Sequence, residues 1–443
     1  MSDIPHPEEI AAGAVAPEAP AVGAPEGTPQ HTSLTGRRRQ AALGFIFAAA
    51  LMDILALSIM IPVLPNLIKQ LAGGGTAQAA HAAMIFGVTW GLMQFFCAPV
   101  IGMLSDRFGR RPVLLISIFG LGIDYLFMAL APTLGWLFVG RVINGATAAS
   151  FSTANAYIAD VTPPEGRAKA FSLMGAAFGI GFVIGPGIGG WLGTIDLRLP
   201  FFVSASLALI NWLYGFFVLP ESLPKERRAG ALNWAKANPV GALDIFRTRP
   251  TLIPLSAVQF LFQLAHSVFP SIFVLYVGWR FGWGVGPASY MLMATGLLSI
   301  LMQSFVTGRA VTWLKERGAL MVGLASAAAA FFAYGLAPSG PWFYAAVPVG
   351  ALSAFSGPSL MSLMSRRVSP SEQGRLQGAN SAIMGVTSIL GPALYPSLLS
   401  FTVRRADPAT LAAGAPIMTA GVIVVVALVL AFFWARPVAD VTA

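Results

Sequence analysis

The sequence predicts an all-α integral membrane protein with twelve transmembrane helices in two six-helix bundles. Of its 443 residues, 56% are hydrophobic and only 10% are charged, whereas soluble domains carry about 25% charged residues. Twelve apolar runs follow one another along the chain, and a helix of about 20 apolar residues crosses a bilayer. These two observations favour a polytopic membrane protein over the soluble classes.

The twelve runs divide six and six around one long polar connector. The predicted units are a disordered N-terminal tail (1–36), a first bundle (37–219), a cytoplasmic linker (220–250), and a second bundle with a short cytoplasmic tail (251–443). The predicted spans are 41–67, 82–104, 112–131, 134–160, 168–192, 199–219, 251–277, 287–310, 318–337, 341–366, 375–401 and 413–435.

The net charge of +9 reflects membrane topology rather than nucleic-acid binding. Arg141 falls within a span, and all but five of the other basic residues lie in the termini and in every second loop. The five exceptions are Lys69, Arg198, Arg280, Arg404 and Arg405. This asymmetry predicts cytoplasmic termini in a multi-pass protein of the cell inner membrane.

The most distinctive stretch is the polar loop between the second and third spans, residues 102–112. Asp106 lies four residues before Arg110, which suits an ion pair across one helical turn. Gly102 and Gly109 allow close helix approach and a sharp bend. The loop resembles the signature loop of the major facilitator superfamily, G-x-x-x-D-R-x-G-R-R/K. The matching residues are Gly102, Asp106, Arg107, Gly109, Arg110 and Arg111.

That resemblance implies the major facilitator fold, in which two bundles enclose a central cavity. Asp160 ends the fourth span on the same cytoplasmic face as Arg110. A cluster of Asp106, Arg110 and Asp160 is therefore expected to close the cytoplasmic side, and breaking it to be part of opening inward.

The second half carries a faint repeat of this loop. A shift of 206 residues lays Gly308 on Gly102 and Arg317 on Arg111, whereas Thr312 stands where Asp106 stood. The second copy has lost the acid at that position, which predicts an asymmetric gating apparatus.

The fifth span is rich in glycine and contains a proline. Small residues three or four apart let neighbouring helices touch, and a mid-span proline bends a helix. The pattern resembles the antiporter motif of drug-exporting facilitators, although ordinary small-residue packing is the alternative. The motif residues are Gly181, Gly185, Pro186, Gly189 and Gly190.

Four ionisable residues within spans are candidates for proton coupling. Asp53 lies roughly 12 residues, or ~18 Å, into the first span, where a charge costs about 3 kcal/mol and usually serves function. Asp124 follows the same logic, and Arg141 resembles the family's fourth-helix arginine that is implicated in proton transfer. His266 is the fourth candidate. The alternative roles are structural. The two acids could pair with neighbouring helices, Arg141 could extend to the membrane interface, and His266 could be hydrogen-bonded within the fold.

Within the superfamily the sequence most resembles the tetracycline–proton antiporters. The likeness includes residues 61–65, 92–94, 105–115, 124–125 and 158–160. It implies functional acids at Asp53 and Asp124, and it places Gln303 in the drug-binding region. The predicted substrate-binding residues are Asp53, Gln94, Gln263, Ser299 and Gln303.

Two departures bear on substrate and coupling. The family's ninth-helix aspartate falls on Ala327, and its eighth-helix histidine falls on Ser299. No acid lies within a predicted span of the second half. Tetracycline–magnesium handling is therefore not expected to carry over unchanged, and proton coupling must rest on the first half or on His266.

The predicted function is export of an amphipathic small molecule or drug in exchange for protons by alternating access. There is no Walker loop, no metal-spaced His/Cys cluster and no enzyme constellation, so we expect no catalytic residue, cofactor or metal. The expected partners are a small molecule, protons and the lipid bilayer, with the protein as a monomer. The alternatives are an uptake symporter or uniporter for a metabolite, and a membrane sensor that binds a ligand without transport.

Overall fold

The described part of the chain is helical throughout, apart from its loops and turns. The computed structural model describes residues 36–147, 150–162, 164–229 and 241–435. The predicted disordered tail lies outside the described residues except for Gly36. Residues 230–240 of the predicted linker and the end of the chain after residue 435 also lie outside them.

The first half consists of six predicted spans, of which the first and fourth are each built from two helices. The chain bends by 40° between the first two helices. Pro62 lies in this break, where its missing N–H and fixed ring cannot continue a helix. The helices are α1 (Gly36–Met60), α2 (Leu64–Leu71), α3 (Thr76–Phe108), α4 (Arg110–Leu130), α5 (Leu134–Thr147), α6 (Ser150–Val161), α7 (Pro164–Ile195) and α8 (Leu199–Val218).

The second half is interrupted more often. Its seventh span breaks at Ser267, its eighth ends in a π-helix (Met302–Thr307), and Lys315 has a non-helical backbone within α13. The helices are α9 (Ile245–Thr248), α10 (Ile253–His266), α11 (Val268–Phe281), α12 (Val285–Leu301), α13 (Gly308–Leu336), α14 (Gly340–Ala345), α15 (Val347–Ala351), α16 (Ser356–Ser365), α17 (Gln373–Arg405) and α18 (Ala415–Trp434).

The predicted all-α fold with twelve membrane helices is confirmed. Within the described ranges, nine helices are long and apolar enough to cross a membrane, or ten when the bent pair α1–α2 counts as one. One of the nine, Val285–Leu336, covers 52 residues and contains the eighth and ninth predicted spans. The broken pair α5–α6 supplies the fourth span.

The two halves meet mainly along two pairs of helices, α3 with α17 and α7 with α12, and α11 also contacts α2 and α3. At the end of the molecule away from loop 102–112, glycines bring these helices together, and a Cβ at Gly87 or Gly91 would collide with α17. Nearer the loop, Gly102, Gly175 and Gly308 have no atom of another described element within 4 Å of a Cβ position. Gly87 and Gly91 therefore allow α3 and α17 to approach each other closely.

Candidate functional site

Asp53 is buried in α1 and hydrogen-bonded to a residue of α8. Its side chain is 9% exposed. The Asn211 amide donates to Asp53 Oδ1 at 2.8 Å and to the Ala49 carbonyl at 3.0 Å. Asp53 has no ion-pair partner among the described residues, so a single neutral donor offsets part of the cost of burying its carboxylate. Sequence reasoning found Asp53 and missed Asn211, which lies 158 residues away.

Asp124 is fully buried at the end of a chain of polar side chains. The Asn144 amide donates to Asp124 Oδ2 at 2.6 Å, and the Trp90 indole donates to Asn144 Oδ1 at 2.7 Å. Asp124 Oδ1 has no hydrogen-bond partner in the described part of the chain. This network joins α3, α4 and α5 within the first half.

Arg141 lies on α5 close to that network. Its side chain is buried, and its guanidinium donates to the Met128 sulfur at 3.7 Å. A snorkelling arginine would reach the membrane interface instead. The burial therefore argues against the snorkelling alternative for Arg141.

The glycines of α7 face two different helices. Gly181, Gly185 and Gly189 lie against α1, where a Cβ would collide with Ile54, Ser58 and Ile59 respectively. The Ser58 hydroxyl lies 2.6 Å from the Ile54 carbonyl of its own helix and 3.0 Å from the Gly181 carbonyl, so its single hydrogen is shared between α1 and α7. Spacing of four residues repeats on one helix face, so these three glycines give α1 a continuous track along α7.

The opposite face of α7 meets the second half. A Cβ at Gly190 would collide with Ser289 of α12, and Gly187 and Gly179 are close to Met293 and Ile300 of the same helix. The predicted antiporter motif therefore lies between the helix that carries Asp53 and a helix of the other half.

A cavity of about 1100 Å³ lies between α7 on one side and α11 and α12 on the other. Ser299 and Gln303 of the predicted substrate-binding residues line it, as does Pro186 of the glycine motif. Asp53, Gln94 and Gln263 are not among its described lining residues.

Gln303 belongs to the π-helix, whose widened turn is held by a hydrogen bond from the Thr307 hydroxyl to the Met302 carbonyl at 3.0 Å. π-Helical turns occur frequently at functional sites. This turn could not be predicted from the sequence, because no residue pattern specifies a π-helical turn.

His266 lies in an aromatic cluster of the second half. Its ring centroid is 4.1 Å from that of Phe262 and 5.3 Å from that of Phe331. Its Nδ1 is 3.1 Å from the Phe262 carbonyl, to which the protonated nitrogen donates. These contacts favour the structural alternative for this histidine.

The predicted cytoplasmic cluster forms around Arg110. Its guanidinium is 2.6 Å from Asp106, 3.1 Å from Asp160 and 2.7 Å from the Ser105 hydroxyl. Arg107 lies over the ring of Phe108, 5.5 Å from its centroid. All three partners of Arg110 belong to the first half, so the cluster ties α3, α4 and α6 to one another.

Glu221, which follows α8, is a functional candidate that sequence reasoning missed. Its Oε1 accepts from the backbone N–H of Arg110 at 2.9 Å and of Arg111 at 3.4 Å, which are the first residues of α4. It also pairs with Arg228 at 3.4 Å. The carboxylate therefore caps the positive end of α4, whereas the surrounding Pro-rich stretch indicated only a helix stop.

The repeat of the signature loop in the second half, residues 308–317, also takes part in an ion pair. Arg366 lies 2.6 Å from Glu316. Under the 206-residue shift these positions correspond to Asp160 and Arg110, with the two charges exchanged. The predicted asymmetry of the two gates stays a prediction. The two loops differ chemically in the exchanged charges of this pair and in the absence of an acid at Thr312.

Residues 46–392 match the family described as Major Facilitator Superfamily. The chain belongs to this superfamily. It is 39% identical over 360 residues to the class C tetracycline resistance protein of Escherichia coli, covering 81% of this chain and 89% of that protein. It is 34% identical over 351 residues to the class G protein of Vibrio anguillarum, with coverages of 79% and 88%.

A solved structure of another protein shares the fold of this chain. It is a bacterial homologue of the human lysosomal transporter Spinster, in an inward-facing and unoccupied conformation. The TM-score is 0.73 at 18% identity, with 91% of this chain and 98% of that chain covered. The predicted resemblance to the superfamily and to the tetracycline resistance proteins is confirmed.

Proposed function

We propose that this protein is a secondary active transporter that exports an amphipathic small molecule or drug from the cytoplasm in exchange for protons. The observation that carries the proposal is its 39% identity over 360 residues to a tetracycline resistance protein. The cavity between the halves supports it, because transporters of this architecture bind substrate between their two repeats. Transport without catalysis needs no cofactor, metal or catalytic residue.

Asp53 is the proposed carrier of the coupling proton. A buried carboxylate that has one neutral donor and no cationic partner can exchange a proton without breaking an ion pair. Asn211 can remain hydrogen-bonded to Asp53 Oδ1 in either protonation state. Asp124 and Arg141 would tune this exchange from within the same half, whereas the contacts of His266 favour a structural role.

Helix α7 is the proposed connection between proton and substrate. Ile54, next to Asp53, lies against Gly181 on one face of α7, and other residues of α7 line the cavity. A shift of α1 after protonation would therefore press on the cavity wall. Rigid-body movement of one bundle against the other would then alternate access.

The signature-loop end is proposed to face the cytoplasm of a cell bounded by its inner membrane, with both termini on that side. The basic loops support this orientation. There the cluster of Asp106, Arg110 and Asp160 would hold the cytoplasmic ends of α3, α4 and α6 together, so that they close and open the cytoplasmic side as one unit. One chain supplies both halves of the cavity, which supports a monomer. Membrane topology explains the distribution of basic residues, so the net positive charge gives no reason to expect a nucleic-acid partner.

The test is gradient-driven flux of an antibiotic panel that includes tetracycline, measured in proteoliposomes. Wild type is compared with Asp53→Asn, which keeps the size of the side chain and removes the titrating group. Asp407→Asn is the matched control, because Asp407 is exposed in a loop of the second half. We expect flux to follow the proton gradient in wild type and in the control, and to be lost in Asp53→Asn.

Asp53→Asn with wild-type exchange of substrate for protons would remove Asp53 from the mechanism. Net accumulation in cells that express the protein would indicate uptake instead of export. Binding without flux would indicate a sensor.

A further inference from the structure

The cavity between α7, α11 and α12 is lined by uncharged residues. None of its described lining residues is Asp, Glu, Lys, Arg or His. The buried acids Asp53 and Asp124 belong to the first half's interior, outside the described cavity wall. Among the described residues, no group of three His, Cys, Asp or Glu side chains is arranged to hold a metal ion.

The polar groups on the cavity wall are neutral and come mainly from the second half. Ser271, Ser299, Gln303 and Ser304 line the cavity, and their side chains make no hydrogen bond to another described residue. The Thr295 hydroxyl donates within its own helix to the Met291 carbonyl at 2.8 Å. A ligand in the cavity would therefore meet hydroxyl and amide groups that are free to bond it.

Aromatic rings lie on both sides of the same space. On α7, Phe178 and Phe182 stack with centroids 6.3 Å apart and an interplanar angle of 15°. On α11, the centroids of Phe269 and Phe273 are 6.1 Å apart. All four residues line the cavity, and such surfaces favour ring-containing ligands.

We propose that the cavity takes an uncharged, metal-free, ring-containing molecule with several hydrogen-bonding groups. A charged ligand would lose its hydration without gaining a counter-charge. A magnesium chelate would lack the oxygen-rich anionic surroundings that a hard divalent cation prefers. The inference rests on the proposed function in taking this cavity as the substrate site, and it adds the charge class of the substrate.

Equilibrium binding to the full chain in lipid nanodiscs tests the charge class directly. The compounds are a set of neutral aromatic amides and alcohols that includes chloramphenicol, the cation ethidium, and tetracycline with either Mg²⁺ or EDTA. We expect a neutral compound to bind at least about tenfold more tightly than ethidium or the magnesium complex. Adding Mg²⁺ should not improve tetracycline binding.

Gln303→Glu provides a variant of nearly equal size that adds one carboxylate to the cavity, and wild-type Gln303 is its neutral control. The variant should gain about tenfold in affinity for ethidium and should lose affinity for the neutral compound. Ser299→Asp beside Ser299→Asn repeats the comparison at a second position and guards against misfolding of one variant.

The proposal is overturned if wild type prefers ethidium or the magnesium complex, if no neutral compound binds, or if both added carboxylates leave the charge preference unchanged. Flux in liposomes from the same preparation keeps the two proposals apart. Neutral binding without gradient-driven flux contradicts export alone, whereas gradient-driven flux of the magnesium complex contradicts the charge class alone.

Discussion

Loop 102–112 of the first half and its repeat in the second half, residues 308–317, share an anchored arginine and differ in their ion pairs. In the first half, Arg111 lies over the ring of Phe216 and donates to its carbonyl at 2.6 Å. In the second half, Arg317 does the same with Phe432, at 2.8 Å. Both arginines are thus anchored to the last helix of their own half.

The ion pairs beside these arginines show the difference. Arg110 pairs with Asp160 at 3.1 Å, whereas the corresponding positions hold Glu316 and Arg366, 2.6 Å apart. The repeat therefore places an ion pair at the same two positions in both halves, with the acid and the base exchanged. The first loop also has Asp106 as a second acid on Arg110, so the first cluster carries a net negative charge and the second is neutral.

The largest effect is expected from reversing the charge of Arg110. Its side chain is only 12% exposed, and Arg110→Glu would bring three acids together without a cation. We expect gradient-driven flux to fall by about tenfold or more, that is by about 1.4 kcal/mol or more, which lies within the range of coupling energies between sites. Proteoliposome flux, normalised to the amount of folded protein, measures this loss.

Glu316→Arg is the matched reversal in the second half. Arg366 is 50% exposed there, and exposed ion pairs contribute only about 0.2–1 kcal/mol, so the loss should be about fivefold at most. Adding Arg366→Glu should restore the flux. Equal losses in the two halves would contradict the difference between the loops that their burial and charge predict.

Removing the cap of α4 is expected to have the next largest effect. Glu221→Ala takes away the acceptor of the Arg110 and Arg111 N–H groups, which should cost about 1–2 kcal/mol of stability, as other helix caps do. Thermal unfolding in detergent measures it as a lower Tm. Glu226→Ala, at an exposed residue nearby, is the control and should leave the Tm unchanged.

The backbone turn between the two helices offers an effect of similar size, with opposite signs in the two halves. Gly109 has φ of 105°, and Lys315, its counterpart under the 206-residue shift, has φ of 57° with ψ of 168°. A side chain in this region costs about 1–3 kcal/mol. Lys315→Gly should therefore raise the Tm, and Gly109→Ala should lower it. A lower Tm for Lys315→Gly would show that the lysine side chain contributes more than its backbone conformation costs.

Much of this architecture could be predicted from apolar run length and loop charge. The loop motif also predicted the pair of Asp106 and Arg110, and the position of Asp160 at the end of the fourth span predicted the second acid. Asn211 and Glu221 could not be predicted, because a partner 158 residues away or a cap from another helix leaves no periodic signal. The pair of Glu316 and Arg366 was missed for a different reason. The comparison of the two loops sought the same charge at each position, as at Thr312 and Asp106, and so overlooked a pair whose charges are exchanged.

The smallest effect is expected at Glu372, which precedes α17 in the second half. Arg249 donates to both of its carboxylate oxygens, at 3.2 and 3.0 Å, and Ser369 donates from its backbone and its hydroxyl. These donors, the Arg249 hydrogen bond first, lower the pKa of Glu372 to about 2. A lowered carboxyl pKa stabilises the fold above the unfolded value of about 4.3, and this contribution is lost as pH falls towards 2.

Glu372 therefore stays ionised between about pH 5 and 8. Glu372→Gln should lower the Tm slightly and by the same amount at both ends of that range, while the pH profile of flux keeps its wild-type shape. Asp53→Asn should instead lose gradient-driven flux at every pH in that range. A flux profile that moved in Glu372→Gln would place a pH-sensitive group in the second half, against the assignment of proton coupling to the buried acids of the first.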